Sequence, residues 1–191
     1  MMVTALDVAG YVYRQRGWVD AWKLEKLIYF AQAWHLAWDG RPLFADRFQA
    51  WPDGPVQPTV YQVNKYGRSH WFDTELPGAD PDSLDPASRA IVDAVLEHYA
   101  PLAKETLVEL SHEMPWQQAR GDLPSCERCD TELSESDMKR WYTAKVLRGE
   151  RGIPAQPNIR PAEIPYTPDF DRVVDAEIVR WEETLRLLAE R

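Results

Sequence analysis

KLEKLIYFAQAWHLAWDG, Lys23 to Gly40, decides the fold. Leu24, Leu27, Ile28, Ala31, Trp34 and Trp38 recur at helical spacing. Trp22, Tyr29, Phe30, Ala33 and Leu36 widen that stripe round the cylinder. A helix apolar on most sides must be covered by several neighbours, so the spacing predicts a central, buried helix. Asp20 is placed to cap its start and Gly40 to end it. Lys23, Lys26, Gln32 and His35 lie within reach of the apolar surface, and their most economical role is to satisfy neighbouring turns. Lys23, Glu25 and Lys26 at the head of the helix read as exposed charges. A buried Lys26 would require a carboxylate, because an unpaired buried charge is costly.

Working outward, Thr4 and Asp7 have capping-box spacing for a first helix from Thr4 to about Gln15, closed by Gly17. Prolines 42, 52, 55 and 58 forbid a continuous helix after Gly40. A small β element carrying Phe44, Phe48 and Trp51 is expected around residues 43–52. Pro52-Asp53-Gly54-Pro55 reads as a turn, with Asp53 serving it. Pro58 suits the first turn of a helix to about Tyr66. Further helices are expected from Asp85-Pro86, over Lys104–Ser111, from Pro115-Trp116, and from Ser134 to Gly149 with Met138, Trp141, Tyr142 and Leu147 on it. The expectation is a mainly α domain over residues 1–148. A Pro-rich arm and a last helix (about Asp169 to Ala189) would fill 149–191, with Val174, Ile178, Trp181, Leu185 and Leu188 as an apolar seam.

The 191 residues carry 22 Lys and Arg against 31 Asp and Glu, a net charge of −9, with no basic stripe. Direct nucleic-acid binding is therefore not expected, and a basic protein partner is easier to accommodate. No apolar run is long enough to span a membrane, and MMVTALDVAG lacks a secretory pattern, so cytoplasm is the expected compartment. Nine Trp and eight Tyr can fill a core or build an interface, and the sequence leaves both open.

Catalytic motifs are not readable: there is no Walker loop, GxGxxG, HExxH or GxSxG. His35, His70, His98 and His112 have no metal-ligand spacing. His35 reads as a core histidine, His112 as a helix-end residue able to cap carbonyls. Cys126 and Cys129 in SCERCD could be incidental, half of a zinc site with a distant His such as His112, or a redox pair in a loop. No catalytic residue, cofactor or metal site is assigned.

KLEKLIYFAQAWHLA, GRPLF, QAWPDGPVQPTVY, KYG and ELSHEMPWQQAR, in this order over about residues 4–145, resemble the SocA-like Panacea domain. The family's central-helix positions fall on Lys23, Leu24, Lys26, Leu27, Tyr29, Ala31, Gln32, Trp34 and His35. Its aromatic-turn motif falls on Trp51, Gly54, Pro55 and Val56, and its second histidine motif on His112, Pro115 and Trp116. Pro52-Asp53 replaces the basic-aromatic pair frequent before its Gly-Pro. The resemblance implies an antitoxin, not an enzyme, that neutralises a toxin encoded by a neighbouring gene through direct binding. It also implies two alternatives: an adaptor handing the toxin to a ClpXP-type protease, as one member does, or a phage accessory protein. The toxin-binding residues expected are Trp51, Gly54, Pro55, Val56 and Tyr61 on the body, with Trp181 and Leu185 on the last helix.

Overall fold

A computed structural model describes residues 3–124 and 126–158, all within the compact unit Met1–Ile159. The expected last helix, with Trp181 and Leu185, lies outside the described residues. The fold is mainly α, with one small two-stranded sheet. Among the described residues no helix is long and apolar enough to cross a membrane.

Helix α1 (Ala5–Arg16) starts at the expected capping box: Thr4 accepts from the Asp7 N–H while Asp7 accepts from the Thr4 N–H. Helix α2 (Ala21–Trp38) is capped by Asp20, whose carboxylate accepts from the Trp22 and Lys23 N–H groups. Every residue from Leu24 to Leu36 is buried, so α2 is the spine of the molecule. Trp22, expected in the apolar stripe, is instead 48% exposed, because it stands in the first turn, outside that buried stretch.

The β element lies further along the chain than expected. Strand β1 (Gln49–Trp51) pairs antiparallel with β2 (Gly54–Val56), joined by Pro52-Asp53. Leu43 and Phe44 do not enter it, because Gln32 captures them. Its Oε1 accepts from both of their N–H groups (2.8 and 3.3 Å) and its Nε2 donates to the Phe44 carbonyl (3.0 Å). Gly54 and Pro55 join the second strand rather than ending a turn. Pro55 faces Ala50, whose N–H points the other way, to the Thr131 carbonyl. The missing Pro55 N–H therefore breaks no ladder bond.

Helix α3 (Pro58–Gln62) runs into a π turn, Val63–Gly67. Helices α4 (Pro86–Tyr99), α5 (Lys104–Ser111), α6 (Met114–Arg120) and α7 (Glu135–Leu147) follow. Asp85 caps α4, which buries Ile91, Val92, Val95, Leu96 and Tyr99 as its periodicity predicts. In α7 Ser134 accepts from the Asp137 N–H, and Met138 and Tyr142 are buried, but Leu147 at its end is 82% exposed. Helices α4, α5 and α7 pack on α2. Trp34 sits among them, donating to the Tyr99 hydroxyl (3.1 Å) and meeting Tyr142 edge to face at 5.0 Å.

Candidate functional site

The polar residues of α2 do serve its neighbours. His35 Nδ1 donates to the Arg41 carbonyl (2.7 Å), while Nε2 lies 3.0 Å from the Ser88 hydroxyl. Burial pushes this imidazole below its ordinary pKa. It is a core histidine, bonded on both nitrogens. Lys23 is half-buried and donates to the Leu102 carbonyl (2.9 Å).

Glu25 and Lys26 correct the expectation of exposed charges. They are 3% and 1% exposed and hold the β hairpin onto α2. Glu25 Oε2 accepts from the Gln57 N–H (2.8 Å), and Lys26 Nζ donates to the Pro55 carbonyl (2.9 Å). Both groups are driven toward neutrality. Desolvation raises the Glu25 carboxyl, against the Gln57 N–H and the Lys26 charge. Desolvation lowers the Lys26 ammonium, against Glu25 and Asp53. The partner that satisfies the buried Lys26 is thus the Pro55 carbonyl, with Glu25 and Asp53 acting on its charge only through the field.

Gly54 makes this arrangement possible. Its φ is +97°, and a Cβ there would meet the Ser111 hydroxyl and would stand 2.9 Å from Lys26 Cε and Nζ. His112, at the end of α5, does not cap carbonyls as expected. Its ring stacks on Trp116 at 3.9 Å, and desolvation, then Lys26, lowers its pKa. Trp116 Nε1 donates to the Trp51 carbonyl (2.9 Å), tying the second histidine motif to the hairpin. Glu113 points the other way, accepting from Trp141 Nε1 (2.8 Å) and pairing with Lys145.

Over this buried floor lies an aromatic groove. A hollow of about 360 Å³ is lined by Trp22, Glu25, Lys26, Trp51 and Tyr61, among others. A second, of about 370 Å³, adjoins it through Trp22, Tyr61 and Lys65 and reaches Arg68 and Trp71. A third, of about 430 Å³, shares Trp51, Pro52 and Tyr61 and extends to Cys126 and Arg128. Tyr61 borders all three and meets Trp51 edge to face at 4.9 Å. At the Trp71 end of the second hollow Trp18, Tyr66, Trp71 and Phe72 are all exposed. Trp18 holds this end in place: its ring meets Trp71 at 5.0 Å and its Nε1 donates to the Trp71 carbonyl (3.0 Å).

Of the expected contact residues, Trp51, Val56 and Tyr61 line the groove. Gly54 and Pro55 are buried in the hairpin behind it. Sequence reasoning missed Trp18, Trp22, Tyr66, Trp71 and Phe72. The signal was KYGRSHWF, 65–72, where three aromatics follow a helix-ending stretch with no periodicity to bury them. Cys126 is exposed and Cys129 buried, and both are free. Among the described residues no group of three His, Cys, Asp or Glu is gathered as a metal site would need.

Comparison with known proteins completes the picture. Over 39 residues the chain is 51% identical to "Antitoxin SocA" of Caulobacter vibrioides (strain NA1000 / CB15N). That stretch is 20% of this chain and 21% of the relative, so the match spans about a fifth of the curated protein. No solved structure matches. Residues 24–117, which run from the buried turns of α2 through the hairpin and α3 to the start of α6, match the family model described as "Antitoxin SocA-like, Panacea domain". With α2, the hairpin and the His112–Trp116 stack in the matched region, residues 24–117, just under half of the chain, match the SocA-like Panacea domain.

Proposed function

We propose that this protein is an antitoxin that neutralises a cognate toxin, encoded by a neighbouring gene, by direct and stoichiometric binding. The observation that carries the reading is the groove centred on Tyr61. It combines three adjoining hollows with exposed Trp and Tyr side chains, the types that dominate binding hot spots. The buried Glu25–Lys26 floor gives the groove a fixed shape before any partner arrives, which lowers the cost of ordering it. The histidines are engaged in packing and turn bonds, and this favours a binding role over a catalytic one.

The test is growth. The neighbouring reading frame is expressed alone, with this protein, and with its Tyr61→Ala variant, and surviving colonies are counted. Arrest by the neighbour, restored by the wild type and restored at least about tenfold less well by Tyr61→Ala, is the expected result. A pull-down from the same cells then separates binding from catalysis. The same assay with Trp181→Ala and Leu185→Ala together asks whether the C-terminal segment contributes an anchor. A harmless neighbour, or rescue without binding, would remove the proposal.

A further inference from the structure

We infer that the groove receives an acidic segment of the toxin carrying apolar anchors, an inference that rests on the antitoxin reading above. The reason is a local inversion of charge. The chain as a whole has 22 Lys and Arg against 31 Asp and Glu. The walls of the three hollows reverse that balance, with Lys26, Lys65, Arg68 and Arg128 against Glu25 and Asp53. Glu25 and Lys26 are both buried in the floor, bonded to Gln57 and Pro55 and driven toward neutrality, and their opposite charges offset. That leaves Asp53 as the single carboxylate of the walls against three cations nearer the surface.

Lys65 is the best placed of these. Its Nζ stands 5.0 Å from the Tyr61 ring centre and 5.1 Å from that of Tyr66, and it donates to the Tyr61 hydroxyl at 2.7 Å. An otherwise flexible ammonium is thereby held at the junction of the first two hollows. Arg128 stands at the far end, 80% exposed and paired with Asp130 at 3.1 Å, so Lys65 and Arg68 carry most of the excess positive charge. At physiological salt a charge is screened beyond about 8 Å, so a docked segment feels the charges around the groove and not those across the molecule. Apolar side chains entering between Trp22, Trp51 and Tyr61 would bring backbone and acidic neighbours past Lys65.

Cations beside exposed aromatics also suit single-stranded nucleic acid. The net charge of −9 argues against it, since a polyanion extends past the groove into the acidic remainder of the surface. A short acidic peptide segment need not.

The experiment measures binding of the purified neighbouring-gene product, in a non-toxic variant, to the full chain at low and at physiological salt. Lys65→Glu with Arg128→Glu should weaken binding at least about 30-fold at low salt, with unchanged circular dichroism and melting temperature. Lys104→Glu with Arg148→Glu, the same charge change at exposed positions off the groove, should alter it less than about threefold. Equal or tighter binding by the first pair would overturn the inference while leaving the antitoxin reading intact. So would equal weakening by the two pairs, which would indicate net charge alone. Micromolar binding of a 16-nucleotide oligo(dT), lost in the first pair, would overturn it in favour of nucleic acid. Absence of binding by the wild type would remove the antitoxin reading, and this inference with it.

Discussion

Trp22 and Trp34 stand on one helix, three turns and a third apart, and live in different media. Trp34 is fully buried between Tyr99, Tyr142 and Trp38. Trp22 is about half exposed over the groove. The residue type is the same and so is the local conformation. The difference lies in what packs alongside: the buried stretch of α2 ends at Leu24, and the first turn projects past it. The tryptophans of the described residues are therefore divided between holding the fold and presenting a surface, a division set by tertiary neighbours rather than by helical periodicity.

The sharpest way to test that division is to remove one member of each set. Trp34→Ala empties a site enclosed by three aromatic rings and strands the Tyr99 hydroxyl, so it should cost about 4 kcal/mol of unfolding free energy. Urea denaturation reads it directly. A cost below about 1.5 kcal/mol would mean that the interior collapses to fill the space, and the contrast with Trp22 would lose its meaning.

Next in size is Gly54→Ala. The substituted residue must hold a φ of +97° while its methyl group meets Ser111 and Lys26, for a cost of about 3 kcal/mol. Gly17→Ala is the reference, with φ +68° and nothing within 4 Å of the added atom, and should cost about 1 kcal/mol. The gap between the two variants isolates the close approach of the hairpin to α2, on which the groove floor depends. Equal costs would mean that backbone strain alone explains Gly54.

Much of the interior was legible in the sequence. The Thr4–Asp7 capping box, Asp20, Asp85-Pro86 and the periodicity of α2 and α4 place those helices within a residue or two. Each signal is local, with its chemistry between residues close in sequence. The hairpin was shifted because Gln32, eleven residues before Leu43, takes the backbone bonds that a strand over 43–48 would need. Glu25 and Lys26 were misread for a related reason. Nothing within the helix shows that the PDGP hairpin folds over its first turns. The groove was only half legible: Trp51 and Tyr61 lie in a recognisable motif, but Trp71 and Phe72 owe their exposure to a loop pinned by Trp18, a contact 53 residues apart.

The buried pair gives a pH test of the floor. Glu25 holds its proton to higher pH than a free carboxyl, whose ordinary value is 4.5. Above 4.5 the unfolded chain has lost that proton while the folded chain retains it. The contribution to stability is thus full at low pH and declines as pH rises, by at most about 1.4 kcal/mol per unit. His35 and His112 act oppositely, since their lowered values favour the unfolded state as pH falls below 6.5. Comparing wild type with Glu25→Gln cancels the histidines. The stability of Glu25→Gln relative to wild type should rise between pH 5 and pH 7. A constant difference would show that Glu25 titrates as an ordinary surface carboxyl and that the floor is hydrated.

The smallest expected effect on stability bears most directly on function. Trp71 is 68% exposed, and its known ties to Trp18 are one edge-to-face contact and one hydrogen bond through its own carbonyl. Trp71→Ala removes the ring and keeps the carbonyl, so unfolding free energy should change by less than about 1 kcal/mol. If the ring is instead part of the binding surface, the affinity of the neighbouring-gene product should fall about tenfold or more. A variant as stable as wild type but deficient in binding places Trp71 with the presenting aromatics. A variant that binds normally and unfolds early places it with Trp34, and the groove would then end at Tyr61 instead of running on to the loop. The two measurements point in opposite directions for the two roles, and this makes Trp71 the most informative single position on the surface.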